Sequence, residues 1–181
     1  VIGAALRLHV VTGGQRTAQL VRLRDTDVSR FTLKMLDPKG KRSAPRAHVL
    51  PVTDKMSAEL ALLPKKGHLL STNDGETPMH PTSMSTWAAE VAERADIEDF
   101  QLKRVRSGIE TILAEAGVSL HIRGQLQSHG IGGVQATHYD SHDYIPEKRD
   151  ALAALYPLLL RPGLKKRTTA KNVTPLRRAP R

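Results

Sequence analysis

Between Phe100 and Gly117, apolar residues recur at three- and four-residue steps: Val105, Ile109, Ile112, Leu113 and Ala116. That period predicts a helix with one face in a core, and Gly117 is placed to end it. Ser119 is positioned to cap a second, shorter helix carrying Leu120, Ile122 and Leu126, whose end delivers Ser128, His129 and a glycine-rich turn, Gly130 to Gly133. Upstream, Thr12-Gly13-Gly14 reads as a turn, and Arg16 opens a helix with Ala18, Leu20, Val21 and Leu23 that Asp25-Thr26-Asp27 closes. Phe31, Leu33 and Met35 alternate with polar neighbours, Asp37-Pro38-Lys39-Gly40 is a turn, and residues 47–52 form a second apolar run, so residues 30–52 read as a hairpin.

The remaining pattern is mostly helical. Residues 54–62 suit a short helix, and residues 67–71 a brief strand. Residues 72–82 hold the Pro, Gly, Thr and Asn of a loop, and a helix capped by Thr82 or Ser85 follows, carrying Trp87, Val91 and Ala95, with Trp87 read as core. From Glu147 an amphipathic helix carries Leu152, Leu155, Tyr156, Leu158 and Leu159 up to Arg161-Pro162-Gly163, and its apolar face needs a partner. The fold class is therefore α+β, mainly α-helical with one small antiparallel β-sheet. Residues 1–11 lack an initiator Met and already read as the inside of a structured element, so the chain is expected to be a fragment.

Composition narrows the chemistry. The 181 residues accommodate one domain over residues 1–160, and the absence of cysteine excludes disulfides, iron–sulfur clusters and thiolate metal sites and fits a reducing cytoplasm. Neither a signal peptide nor an apolar run long enough to span a bilayer is visible. The net charge of +10 suggests a nucleic-acid partner, but residues 161–181 carry eight basic and no acidic residues, leaving +2 for residues 1–160. That tail has the composition of a disordered segment. Its charge alone fits a merely solvated tail as well as a DNA-binding one.

Two basic side chains, Lys103 and Arg106, stand three residues apart in the first turn of the helix that follows Phe100, where unpaired backbone N–H groups favour an anion. With His129 and Tyr139 downstream, this set resembles the catalytic domain of the tyrosine recombinases, the phage-integrase family of DNA breaking-rejoining enzymes. That family has His-x-x-Arg at a helix start, then Gly-His or a Trp about two dozen residues later, then a nucleophilic tyrosine roughly nine residues on. Here Lys103-Arg104-Val105-Arg106 fills the first box with lysine for histidine, His129 follows Arg106 by 23 residues, and Tyr139 follows His129 by 10. Residues 14–23, Gly14-Gln15-Arg16-Thr17-Ala18-Gln19-Leu20-Val21-Arg22-Leu23, match the family's first-arginine pattern, with Gln19 where an acid is usual.

The resemblance implies a role for each residue. Arg16 and Arg106 would clamp the non-bridging oxygens of a scissile phosphate, whose pentacoordinate state carries extra negative charge. Lys103 and His129 would hold the phosphate and assist proton movement, and Tyr139 would attack to give a 3′-phosphotyrosyl link, with Tyr144 the nearby alternative. A lysine of the basic hairpin turn would protonate the departing 5′ oxygen: Lys39 first, Lys41 second. Lys41, Arg42, Arg46 and Arg104 are the expected DNA contacts. No metal, ATP or other cofactor is implied, the partner is double-stranded DNA, and copies would associate on it through the C-terminal helix, which packs in cis or swaps. The family's N-terminal core-binding domain is not in the chain.

Three rivals compete with this reading. The run His138-Tyr139-Asp140-Ser141-His142-Asp143 has the donors of a zinc or manganese site, though no helical histidine pair accompanies it. Short helices joined by Gly-rich turns also suit a non-catalytic DNA-binding module. A type IB topoisomerase shares the chemistry without strand exchange.

Overall fold

Alternation sorts the hairpin side chains. In β1 (Thr32–Asp37), Leu33, Met35 and Asp37 are buried, while Lys34 and Leu36 face solvent. β2 (Arg46–Pro51) pairs with it antiparallel, from Thr32 opposite Pro51 to Asp37 opposite Arg46. This two-stranded sheet belongs to a computed structural model that describes residues 1–37, 46–129 and 142–160. Lys39, Lys41, Arg42, Tyr139 and the basic tail from residue 161 lie outside the described residues, as does most of the run from His138 to Asp143.

Seven helices surround the hairpin among the described residues: α1 (Ile2–Val11), α2 (Thr17–Leu20), α3 (Asp54–Leu60), α4 (Pro81–Arg94), α5 (Leu102–Glu115), α6 (Leu120–Gln127) and α7 (Ile145–Leu159). The expected α+β, mainly helical class is the one observed. One cap is that expected from the sequence, Ser119, which accepts from the Ile122 N–H at 3.3 Å; Thr53 caps α3 in the same way, accepting from the Met56 N–H at 3.3 Å. One core joins the elements, with Leu8 of α1, Leu20 of α2, Leu33 and Leu50 of the sheet, Met84 of α4, Ile109 and Leu113 of α5, Leu126 of α6 and Leu152 of α7 all buried. No helix among the described residues is long and apolar enough to cross a membrane.

Three expectations are corrected. Helix α4 starts at Pro81 and is capped by His80, whose ring nitrogen accepts from the Thr82 N–H; proline fits the first helical position because its missing N–H needs no partner there. Its buried stripe is Met84, Ala88 and Ala92, while Val91 is 53% exposed. Trp87 packs partly buried against the core, as expected. Residues 67–71 form no strand: a single bridge links Arg24 and His68, and the backbone bonds of this stretch go to Leu23 and Gly75.

The C-terminal helix packs in cis. Ala151, Leu152 and Leu155 enter the core, and α7 lies against α5, α6 and β2. Polar bonds stitch it to the free edge of β2: Lys148 Nζ donates to Val49 O at 2.9 Å and Arg149 Nη1 to Val52 O at 3.1 Å. Carbonyls that a bare edge strand would expose are thereby occupied. The Tyr156 hydroxyl donates to Val11 O at 2.9 Å and meets Thr53 Oγ1 at 2.7 Å, which ties α7 to the end of α1 and the start of α3.

Candidate active site

The turn after α1 brings the backbone close to α5. Gly13 and Gly14 both have positive φ, and a Cβ on Gly14 would stand 2.9 Å from Arg106 Cα, so only glycine fits this approach without a shift. From there Gly14 O accepts from Arg106 Nη1 at 2.9 Å. Gln15, fully buried, sends its amide nitrogen to Thr12 O at 2.7 Å and Leu126 O at 2.9 Å, joining this turn to the end of α6. Its amide oxygen faces His48 Nε2 of β2 at 3.1 Å. Gln127, also buried, donates to Gly13 O and Arg106 O, both at 3.0 Å.

On this scaffold two guanidiniums converge on consecutive carbonyls. Arg106 Nη2 donates to Gln127 O and lies 3.3 Å from His129 Nδ1. Arg16, the residue before α2, donates from Nη2 to Ser128 O at 3.1 Å and from Nη1 to Asp37 Oδ2 at 3.0 Å. Ser128 Oγ donates to the same carboxylate oxygen at 2.6 Å and accepts from Arg46 Nη2. Residues from the start, the hairpin and the last third of the chain thus meet at one helix end.

Electrostatics follow from the crowding. Burial, then the charge of Arg16, lowers the Arg106 pKa to about 10, with Asp37 and Glu110 partly offsetting; the guanidinium stays charged at neutral pH. Burial first, and Arg106 next, pushes His129 below its ordinary value, so its imidazole is neutral. With Nδ1 accepting from Arg106, the proton sits on Nε2, and the ring offers that N–H as a donor. Two forked cations and a neutral donor make a site for a tetrahedral anion.

Sequence comparisons find no relative: no family model matches the chain, and no curated protein matches it in sequence. Structural comparison does. The integrase from mycobacterium phage Brujita superposes with a TM-score of 0.67 over 90% of this chain and 54% of that chain, at 20% identity. XerA recombinase gives 0.55 over 88% and 60%, at 16% identity. XerH site-specific recombinase, bound to its difH substrate in a pre-cleavage complex, gives 0.53 over 71% and 39%, at 18% identity. This is the fold of tyrosine recombinase catalytic domains. The chain spans about half the length of the phage integrase it matches.

Within this recombinase fold the sequence-predicted residues fall into three groups. Arg16, Arg106 and His129 come together. Arg46 joins them through Ser128, so it stands inside the cluster and not simply on a DNA-facing surface. Lys103 is exposed on the first turn of α5, and exposed Arg104 donates back to Asp99 O at 3.2 Å. Lys39, Lys41, Arg42 and Tyr139 lie outside the described residues. Tyr144 stands in a left-handed conformation before α7, its ring edge-on to His121 and His142. No group of three potential metal ligands occurs among the described residues.

Sequence reasoning missed Asp37, Ser128, Gln15, His48 and Gln127. For Asp37 a signal existed, since it continues the inward positions Leu33 and Met35. Gln19, where an acid was expected, is buried, and its amide has no partner among the described residues.

Proposed function

We propose that residues 1–160 form the catalytic domain of a site-specific tyrosine recombinase that cleaves and rejoins double-stranded DNA through a 3′-phosphotyrosyl intermediate. The observation that carries this reading is the pairing of Arg16 with Ser128 O and of Arg106 with Gln127 O, beside the His129 ring, whose Nδ1 lies 3.3 Å from Arg106 Nη2. Charge accumulates on the non-bridging oxygens as a phosphodiester becomes pentacoordinate, and two fixed guanidiniums stabilise that state more than the ground state. His129 adds its Nε2–H, and Lys103 supplies a further cation from the first turn of α5. In this reading Tyr139 attacks phosphorus, its proton loss favoured by the surrounding cations. The 5′ oxygen leaves with a proton from Lys39 or Lys41. The phosphotyrosyl ester conserves the bond energy, so rejoining is the same step reversed with a new 5′ hydroxyl. The basic tail at 161–181 adds counterion-releasing affinity for any DNA, and the working form is an assembly of several copies on that DNA.

The test is a suicide substrate, a nicked duplex that loses its 5′ hydroxyl after cleavage. The intact protein should form a covalent adduct that peptide mapping assigns to Tyr139 and that Tyr139→Phe abolishes. An adduct on Tyr144 would reassign the nucleophile. No adduct in a protein shown to bind its DNA site would sink the enzymatic reading and leave a binding module.

A further inference from the structure

Helix α6 ends in a left-handed turn. Ser128 takes φ 54° and ψ 47°, and the His129 N–H reaches back to Gly124 O at 3.0 Å, the closure of a helix that stops in this way. Glycine adopts that conformation freely, whereas a side chain there carries a steric penalty. A serine retained at such a position invites a reason in its hydroxyl. The resembled family writes Gly-His at this point, and here the pair is Ser128-His129.

The hydroxyl is fully used. Its single proton goes to Asp37 Oδ2 at 2.6 Å, and a lone pair accepts from Arg46 Nη2. Asp37 and Arg46 are the last register pair of the hairpin, directly opposite one another. The same Asp37 oxygen holds Arg16 Nη1, and the backbone carbonyl of Ser128 holds Arg16 Nη2. One residue thus fixes one terminal nitrogen of Arg16 directly and the other through a carboxylate that it orients. Asp37 is 4% exposed and Ser128 3%, so water does not substitute easily for a lost partner.

We infer that Ser128 is a positioning residue whose hydroxyl, through Asp37, sets the orientation of the Arg16 guanidinium for the scissile phosphate. This rests on the recombinase reading. The hydroxyl touches no reacting atom in this account; it removes the freedom of the carboxylate, and so of the arginine fork. Arg46, holding the same oxygen from the other strand, keeps the hydroxyl proton aimed at Asp37.

Ser128→Gly separates this role from a merely structural one, because glycine relieves the left-handed backbone while deleting the hydroxyl. Its thermal midpoint should stay level or rise, while single-turnover cleavage of the suicide substrate slows by about 10–100-fold, the scale set by small misplacements of a catalytic group. Asp37→Asn should show a loss of the same kind. In an Arg16→Lys background, which has no fork to orient, adding Ser128→Gly should cost little further, since residues acting through one another are not additive. A substrate with a 5′-bridging sulfur should not restore Ser128→Gly, because the defect lies in stabilising the phosphate and not in protonating the leaving group. Cleavage by Ser128→Gly at the unmodified rate overturns the inference, as does an undiminished penalty in Arg16→Lys or full rescue by sulfur. Absence of any adduct in the unmodified protein removes the recombinase reading itself, a result distinct from each of these.

Discussion

Two histidines lie beneath the arginine pair, and both are held neutral. His48 is pushed down to about 3, first by burial and then by the charges of Lys148 and Arg46, against which Asp37 is a smaller opposing influence. His9 is pushed down to about 4, again chiefly by burial, with Arg106 adding to it. An unfolded chain protonates each near its ordinary 6.5. Between that value and the folded one, the unfolded state binds more protons, so stability falls as the pH drops through 6.5. At pH 5 the loss depends almost wholly on the unfolded pKa, because both folded values lie below 5. It comes to about 2 kcal/mol for each histidine, or about 4 kcal/mol together, relative to pH 7.5. Against a typical total of about 5–15 kcal/mol, that is a large share. Urea unfolding at pH 7.5 and 5.0 measures it directly. His48→Gln, which keeps an amide donor facing Gln15, should lose about half of the pH dependence whatever its own stability. An identical pH dependence in His48→Gln and the unmodified protein would refute the assignment of a buried neutral imidazole.

Three further outcomes follow from single contacts. Gly14→Ala places a methyl against Arg106 Cα at positive φ, and should destabilise by at least about 1–2 kcal/mol; an unchanged thermal midpoint would mean that the turn and α5 separate at little cost. Tyr156→Phe removes the hydroxyl that bridges Val11 O and Thr53 Oγ1, a loss of about 1–2 kcal/mol by urea unfolding, and no loss would show that water replaces it. Lys39→Ala should slow cleavage by about 10²–10⁴-fold and recover with a 5′-bridging sulfur; if Lys41→Ala is the rescued variant, that lysine is the general acid.

What was legible in the chain was whatever depends on local pattern. The α5 stripe and its end at Gly117, the cap Ser119, and the hairpin strands follow from periodicity and capping chemistry within a few residues of one another. The order of Arg16, Arg106 and His129 was legible because the resembled family fixes it. Choices made by distant partners were not. In α4 two rows four residues apart are both apolar enough, 87/91/95 and 84/88/92, and the packing of α4 against α1 and α5 selects the row of smaller residues. A strand at 67–71 requires an edge to pair with, and the backbone partners available there allow only the Arg24–His68 bridge. Asp37 reads as a turn residue until Arg16, 21 positions earlier, is seen to need a carboxylate. Ser128 reads as loop because a positive φ leaves no mark on a serine codon's identity, whereas a glycine would have announced it.

The missed residues explain how two guanidiniums can stand side by side in the folded chain. Two guanidiniums in a half-buried space repel one another, and burial first, with that repulsion second, lowers the pKa of Arg106. Carbonyl oxygens of Gly14, Gln127 and Ser128 offset part of it, since each directs the negative end of a dipole at a guanidinium. Asp37 supplies the one full negative charge that contacts either arginine among the described ion pairs, and it does so on Arg16 alone. The pair therefore keeps net positive charge, held in place by fixed dipoles. Gln19, neutral and buried where the resembled pattern puts an acid, brings no charge, so the carboxylate that touches Arg16 comes from the hairpin, where Ser128 donates to it.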